Sequence, residues 1–204
     1  NNNLLNIKKG KYFLDKHDCI GMPTETVYGL AANAYSSKAI LKIFKLKKRP
    51  RNNPLIVHYG SLELLKRDCV INKNFTKLYN KFCPGPLTFI LKLKKDSKIS
   101  KFVTNKKKTL AVRFPSHPRA KSLLKILNYP LAAPSANISS RVSPVTKNHV
   151  KEEFGKKIKY IIEGGLSKIG LESTIINLTG KPEILRIGSI DIITNRLVEV
   201  IDSL

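Results

Sequence analysis

A chain of 204 residues, 42% of them hydrophobic, can bury its own core, so one α/β domain over residues 1–204 is expected without disulfide or metal staples. Its 38 Lys and Arg against 14 Asp and Glu give a formal charge of +24, a field that draws nucleotides, pyrophosphate or nucleic acid, although a chain-wide excess of lysine raises the charge equally well without any site. Cys19, Cys69 and Cys83 show no C-x-x-C spacing, and His17, His58, His117 and His149 form no H-E-x-x-H pattern, which argues against a disulfide framework, a structural zinc site and a dedicated metal centre.

The chain opens Asn1-Asn2-Asn3-Leu4-Leu5, without the apolar stretch of a secretory signal, and no later run approaches the roughly 20 apolar residues of a membrane span. A soluble, cytoplasmic protein without membrane contact is expected, and a start at Asn rather than Met points to residues upstream. Residues 19–22 read as a short buried strand, stopped by Pro23 and followed by a Thr-Glu-Thr turn. Ser36 or Ser37 caps a helix with apolar Ala39, Ile40, Ile43, Phe44 and Leu46. Pro50 ends it, leaving Lys47, Lys48 and Arg49 at an exposed terminus where cations complement the helix dipole.

Residues 54–58 are expected as a strand, 61–67 and 74–82 as helices, and Pro84-Gly85-Pro86 as a stiff turn into a strand at 87–93. Residues 92–108, rich in lysine and poor in apolar anchors, read as a solvated, mobile segment. A strand at 110–114, a helix at 118–127 and a strand at 131–133 follow, the last running into Ser135-Ala136-Asn137. A helix at 146–154, strands at 160–162, 174–178 and 184–187, and an amphipathic helix at 191–201 complete the pattern. Such alternation specifies an α/β sheet covered by helices, with a site where polar segments gather at strand ends.

Several chemistries lack their motif: there is no G-x-x-x-x-G-K-[ST] loop, G-x-G-x-x-G turn, kinase signature or G-x-S-x-G elbow, so a nucleotide must be held by side chains and irregular loops. What is present runs in order from about residue 20 to 187: Pro23-Thr24-Glu25-Thr26-Val27-Tyr28-Gly29-Leu30, Lys47-Lys48-Arg49-Pro50, Asn53-Pro54-Leu55-Ile56-Val57-His58, Pro84-Gly85-Pro86-Leu87-Thr88, Val112-Arg113-Phe114-Pro115, Ala133-Pro134-Ser135-Ala136-Asn137 and Glu172-Ser173-Thr174-Ile175. This series resembles the YrdC-like threonylcarbamoyl-AMP synthase family. The resemblance implies a single-domain twisted mixed sheet with flanking helices around a central basic cavity. It also implies a nucleotidyltransferase that converts ATP, L-threonine and bicarbonate into threonylcarbamoyl adenylate and pyrophosphate, for modification of tRNA position 37.

Under that resemblance, negative charge crowds one small volume as pyrophosphate leaves. Lys47, as a mobile point charge, and Arg49, as a planar fork, are expected to stabilise it. Ser135 and Asn137, two apart on an extended segment, would aim a hydroxyl and an amide into the same cavity. The threonine pocket falls to Thr26, His58, Arg113, Ala133, Ser135 and Ser173, with Arg113 clamping the carboxylate, and the ATP positions to Arg49, Asn53, Thr109, Ser143 and Arg186. Magnesium is expected to arrive with ATP, since no carboxylate cluster is visible to hold it. Longer relatives continue into a second domain, so the chain is either a short form or a truncated one. In the short form, downstream threonylcarbamoyl-transferase proteins are implied as partners, together with a tRNA or RNA contact. Two rival readings remain: a double-stranded RNA or tRNA-binding protein that uses its basic surface, and a carbamoyl-adenylate-forming domain of a hydrogenase-maturation protein, which would consume carbamoyl phosphate and ignore threonine.

Overall fold

The computed structural model describes residues 2–190, and the helix expected at 191–201 lies outside them. Helices α1 (Asn2–Asp15), α2 (Ser37–Lys47), α3 (Leu62–Asp68), α4 (Lys73–Phe82), α5 (Lys101–Thr104), α6 (Pro118–Lys125) and α7 (Lys147–Phe154) surround strands β1 (Ile20–Met22), β2 (Gly29–Asn33), β3 (Ile56–His58), β4 (Leu87–Lys92), β5 (Thr109–Arg113), β6 (Leu131–Ala132), β7 (Thr174–Asn177) and β8 (Glu183–Arg186). The strands form one mixed sheet in the order β1-β2-β6-β3-β5-β4-β7-β8. Only β3 with β5 and β4 with β7 run parallel; the other neighbours are antiparallel.

Strand alternation divides the apolar side chains between two cores. Leu30 and Ala32 of β2 join Ala39, Ile40, Ile43 and Phe44 of α2, Val57 and Val112 in the larger core. Ala31, between them in sequence, faces the other way with Ile20, Met22, Ile7 and Leu14 of α1 and Leu123 of α6. The helices begin where the sequence supplies an oxygen: Ser36, Ser61 and Asn72 cap α2, α3 and α4 by accepting the N–H groups of Ala39, Leu64 and Phe75. Helix α2 ends at Lys48, whose left-handed backbone (φ 50°) turns the chain before Pro50.

Four local expectations change. Helix α1 and strand β2 carry no element in the sequence reading, and residues 160–162 contribute a single bridge, Gly21 to Ile161, rather than a strand. The lysine-rich segment 92–108 is not a solvated, mobile stretch. Ile99 and Val103 are buried in the larger core, Ser100 caps α5, and Leu55 N–H donates to Val103 O at 2.9 Å. Buried apolar side chains and a backbone bond pin the segment in spite of its lysines. Replacing Val103 by Ala should therefore cost about 2 kcal/mol in urea unfolding. An unshifted midpoint would mean that this segment is not packed.

Candidate active site

The register of the central strands lays their side chains in rows across one face of the sheet. Ile56 of β3 lies opposite Ala111 of β5, which lies opposite Ile90 of β4; two residues along, His58 faces Arg113, Arg113 faces Thr88, and Thr88 faces Ile175 of β7. An apolar row thus adjoins a polar one. Above them opens a cavity of about 460 Å³, walled by Thr24, Thr26 and Gly29, by Arg49, Asn53 and Pro54, by Ala133, Pro134 and Ser135, and by Glu172, Ser173 and Arg186. Its size suits a small organic ligand.

At the polar end Arg113 is buried and donates from all three of its nitrogens. Its Nη1 donates to Thr26 Oγ1 at 2.9 Å and its Nη2 to Glu25 Oε1 at 2.7 Å, while Nε reaches Gly85 O at 3.4 Å. The other oxygen of Glu25 accepts the backbone N–H groups of Ser116 and His117, so the carboxylate is anchored from two sides. The imidazole of His58 is 2% exposed, and its Nδ1 has no hydrogen-bond partner although the residue lines the cavity. Burial, reinforced by the positive charge of Arg113, pulls its pKa down to about 3, so it is a neutral ring at physiological pH. Ser173 Oγ pairs with Thr88 Oγ1 at 2.7 Å, and Arg186 donates to Ser173 O through Nε and Nη2 while its Nη1 binds Glu172.

The last residue of α2 departs from expectation. Lys47 is no mobile cation at an exposed helix end: it is 1% exposed and does not line the cavity. Its Nζ donates to Ser135 O at 2.5 Å and Asn137 O at 2.6 Å, with Asn137 Oδ1 at 3.4 Å. Helix α2 packs its final turn into the sheet, so this ammonium braces the 135–137 segment. Burial, aided by the charge of Arg49, lowers its pKa to about 8. Nor does Asn137 share a face with Ser135. The chain bends at 136–137 instead of staying extended, and Asn137 Nδ2 donates to Ile138 O and Arg141 O. Ser135 itself lines the cavity.

Of the residues singled out from sequence, Thr26, Arg49, Asn53, His58, Arg113, Ala133, Ser135, Ser173 and Arg186 meet at this cavity, whereas Lys47, Asn137, Thr109 and Ser143 do not line it. Arg49 is half-buried and donates only to the carbonyls of Asn53 and Pro54. Sequence reasoning missed three charged groups. Glu25 lay inside a motif read as a turn, Glu172 at the entry to a late strand, and Lys107 inside the segment read as mobile. The residue types alone gave none of the three a distinguishing signal. Among the described residues no group of three or more His, Cys, Asp or Glu could hold a metal ion, and no helix is long and apolar enough to cross a membrane.

The Sua5_yciO_yrdC family model (telomere recombination) matches residues 12–188. A threonylcarbamoyl-AMP synthase of Pyrococcus abyssi is 44% identical over 176 residues, covering 85% of this chain and 51% of that protein. The chain spans about half the length of the curated relatives that it matches first. Among solved structures, P. abyssi Sua5 complexed with L-threonine superposes with a TM-score of 0.86 at 42% identity, over 89% of this chain and 54% of that one. E. coli YciO superposes with a TM-score of 0.80 at 25% identity, over 91% and 90%.

The neutral burial of His58 has a measurable cost in acid. Below pH 6.5 the unfolded chain takes up a proton that the folded imidazole refuses until about pH 3, so this contribution to stability is complete above 6.5 and is lost as pH falls. Between pH 7 and pH 5 the protein should lose about 2 kcal/mol more than its His58→Asn variant in chemical denaturation. Equal losses would show that His58 titrates as it does in water.

Proposed function

The chain belongs to the Sua5–YciO–YrdC family, and we propose that it is a nucleotidyltransferase forming L-threonylcarbamoyl adenylate from ATP, L-threonine and bicarbonate, for the threonylcarbamoyladenosine modification of tRNA position 37. One observation carries this reading: a single cavity joins a polar row at Arg113 and His58 to an apolar row at Ile56, Ala111 and Ile90, with Arg49 on its wall. An amino acid and a nucleotide can thus lie side by side. The likeness to P. abyssi Sua5 complexed with L-threonine supports the amino-acid half.

In the proposed reaction the amine of threonine forms a bond to the carbon of carbon dioxide, with loss of a proton from nitrogen, or to that of bicarbonate, with loss of water. An oxygen of the resulting carbamate then attacks the α-phosphorus of ATP, and the bond to the β-phosphate breaks with its electron pair leaving on pyrophosphate. Arg113 has N–H groups beyond those given to Thr26, Glu25 and Gly85, and these receive the substrate carboxylate. The neutral imidazole of His58 and the hydroxyls of Thr26 and Ser173 pair with the substrate hydroxyl. Valine would leave such groups unsatisfied, at about 1–3 kcal/mol each. Arg49 stabilises the phosphates, Lys47 holds the Ser135 backbone in place beside them, and magnesium enters as part of the ATP substrate. Transfer of the threonylcarbamoyl group to RNA falls to partner proteins.

Pyrophosphate release from ATP should require both threonine and bicarbonate, and omission of either should abolish it. Release with carbamoyl phosphate in place of both would instead support a carbamoyl-adenylate chemistry. Arg49→Ala should lower kcat by about 10²–10³-fold with little change in Tm, because its visible bonds are to two neighbouring carbonyls. A normal rate in that variant would remove Arg49 from the reaction.

A further inference from the structure

We propose that Lys107 is an additional residue for binding the phosphate chain of the nucleotide, an inference that rests on the ATP half of the function above. Strand β5 supplies the cavity with Ala111 and Arg113, which alternate with buried Leu110 and Val112. Thr109, next in that alternation, does not line the cavity. Ahead of the strand Leu93 N–H still donates to Lys108 O at 2.9 Å, the chain bends at Lys108, and Lys107 lines the cavity. Lys106 and Lys108, its neighbours, do not.

The turn before it is built for this placement. Asn105 and Lys106 both have left-handed backbones, φ 51° and 61°, a conformation that residues with side chains seldom take up twice in succession. Lys106 N–H closes the turn on Lys101 O and Lys107 N–H on Thr104 O. The reversal ends α5 and delivers Lys107 to the cavity wall.

Charge accounting gives Lys107 its partner. Glu172 and Arg186 of the cavity wall bind one another, and Arg113 is held by Glu25. Arg49 donates to backbone carbonyls only, and Lys107 makes no ion pair or side-chain hydrogen bond among the described residues. Two positive charges on the wall are therefore unbalanced. They also share an end: Ile56 lies opposite Ala111 in the parallel pair, so Asn53 and Pro54, which fix Arg49, run beside the start of β5, and Asn105 Nδ2 reaches Asn52 O at 3.4 Å. Lys107 stands six residues before Arg113, at the opposite end of β5 and beyond the bend at Lys108. The uncompensated pair thus lies at the end remote from the amino-acid pocket, where a ligand bearing several negative charges fits and a zwitterion does not.

Equilibrium binding of α,β-methylene ATP, a probe that cannot transfer its adenylyl group, tests this independently of synthesis. Lys107→Ala should raise its Kd on the order of tenfold, Lys107→Arg should restore most of the affinity, and Lys106→Ala and Lys108→Ala should leave it unchanged. Threonine binding should be unaffected in all four. An unaltered Kd in Lys107→Ala, or an equal rise in Lys106→Ala, would overturn the assignment by showing that only the general field matters. Failure of the unsubstituted protein to bind the probe would overturn it together with the nucleotide half of the function. Normal binding with no threonine-dependent pyrophosphate release would sink the proposed reaction alone.

Discussion

The pairing of Arg113 with Glu25 is the interaction on which the site depends. The two side chains are 5% and 13% exposed, and each is costly to hold away from water without the other. Their union fixes a strand end to the Thr-Glu-Thr turn, and the turn in turn carries Thr26 and Thr24, whose hydroxyls lie 2.8 Å apart. Glu25 then extends the connection to Ser116 and His117, and so to the start of α6, which His117 caps. One carboxylate thus ties the cavity wall to a helix of the smaller core.

A second brace acts from the opposite side. Lys47 closes α2 onto the carbonyls of Ser135 and Asn137, so the segment after β6 is shaped by a helix terminus rather than by its own turn preferences. Both braces spend a charged group on protein oxygens. Arg49 and Lys107 make no ion pair among the described residues, and Lys107 is exposed, where holding an unpaired charge is cheapest.

Much of this was legible beforehand. Apolar runs and proline stops placed most strands and helices, and the ordered motifs brought nine of the expected residues to one cavity. What escaped depended on tertiary contact. Helix α1 anchors through Ile7 and Leu14, with Phe13 packed beside them, while its other apolar residues Leu4, Leu5 and Tyr12 are exposed, so no single periodic face registers. Strand β2, Gly29–Asn33, is short and built from Gly, Leu, Ala and Asn, which lack strong strand preference and pair because β1 and β6 flank them. The burial of Lys47 could not be inferred either. A lysine in the last turn of a helix reads as solvated whether or not the neighbouring loop offers two carbonyls to it.

Alternation along β5 has a further consequence for how such a chain can vary. Ala111 and Arg113 face the cavity and Leu110 and Val112 the core, so inserting or deleting one residue would turn Leu110 and Val112 into the cavity and bury Ala111 and the guanidinium of Arg113 among aliphatic side chains. Foldedness and chemistry would fail at the same stroke. A change of length would be borne more easily in the turn at 105–106, ahead of the strand, where no ladder register is at stake.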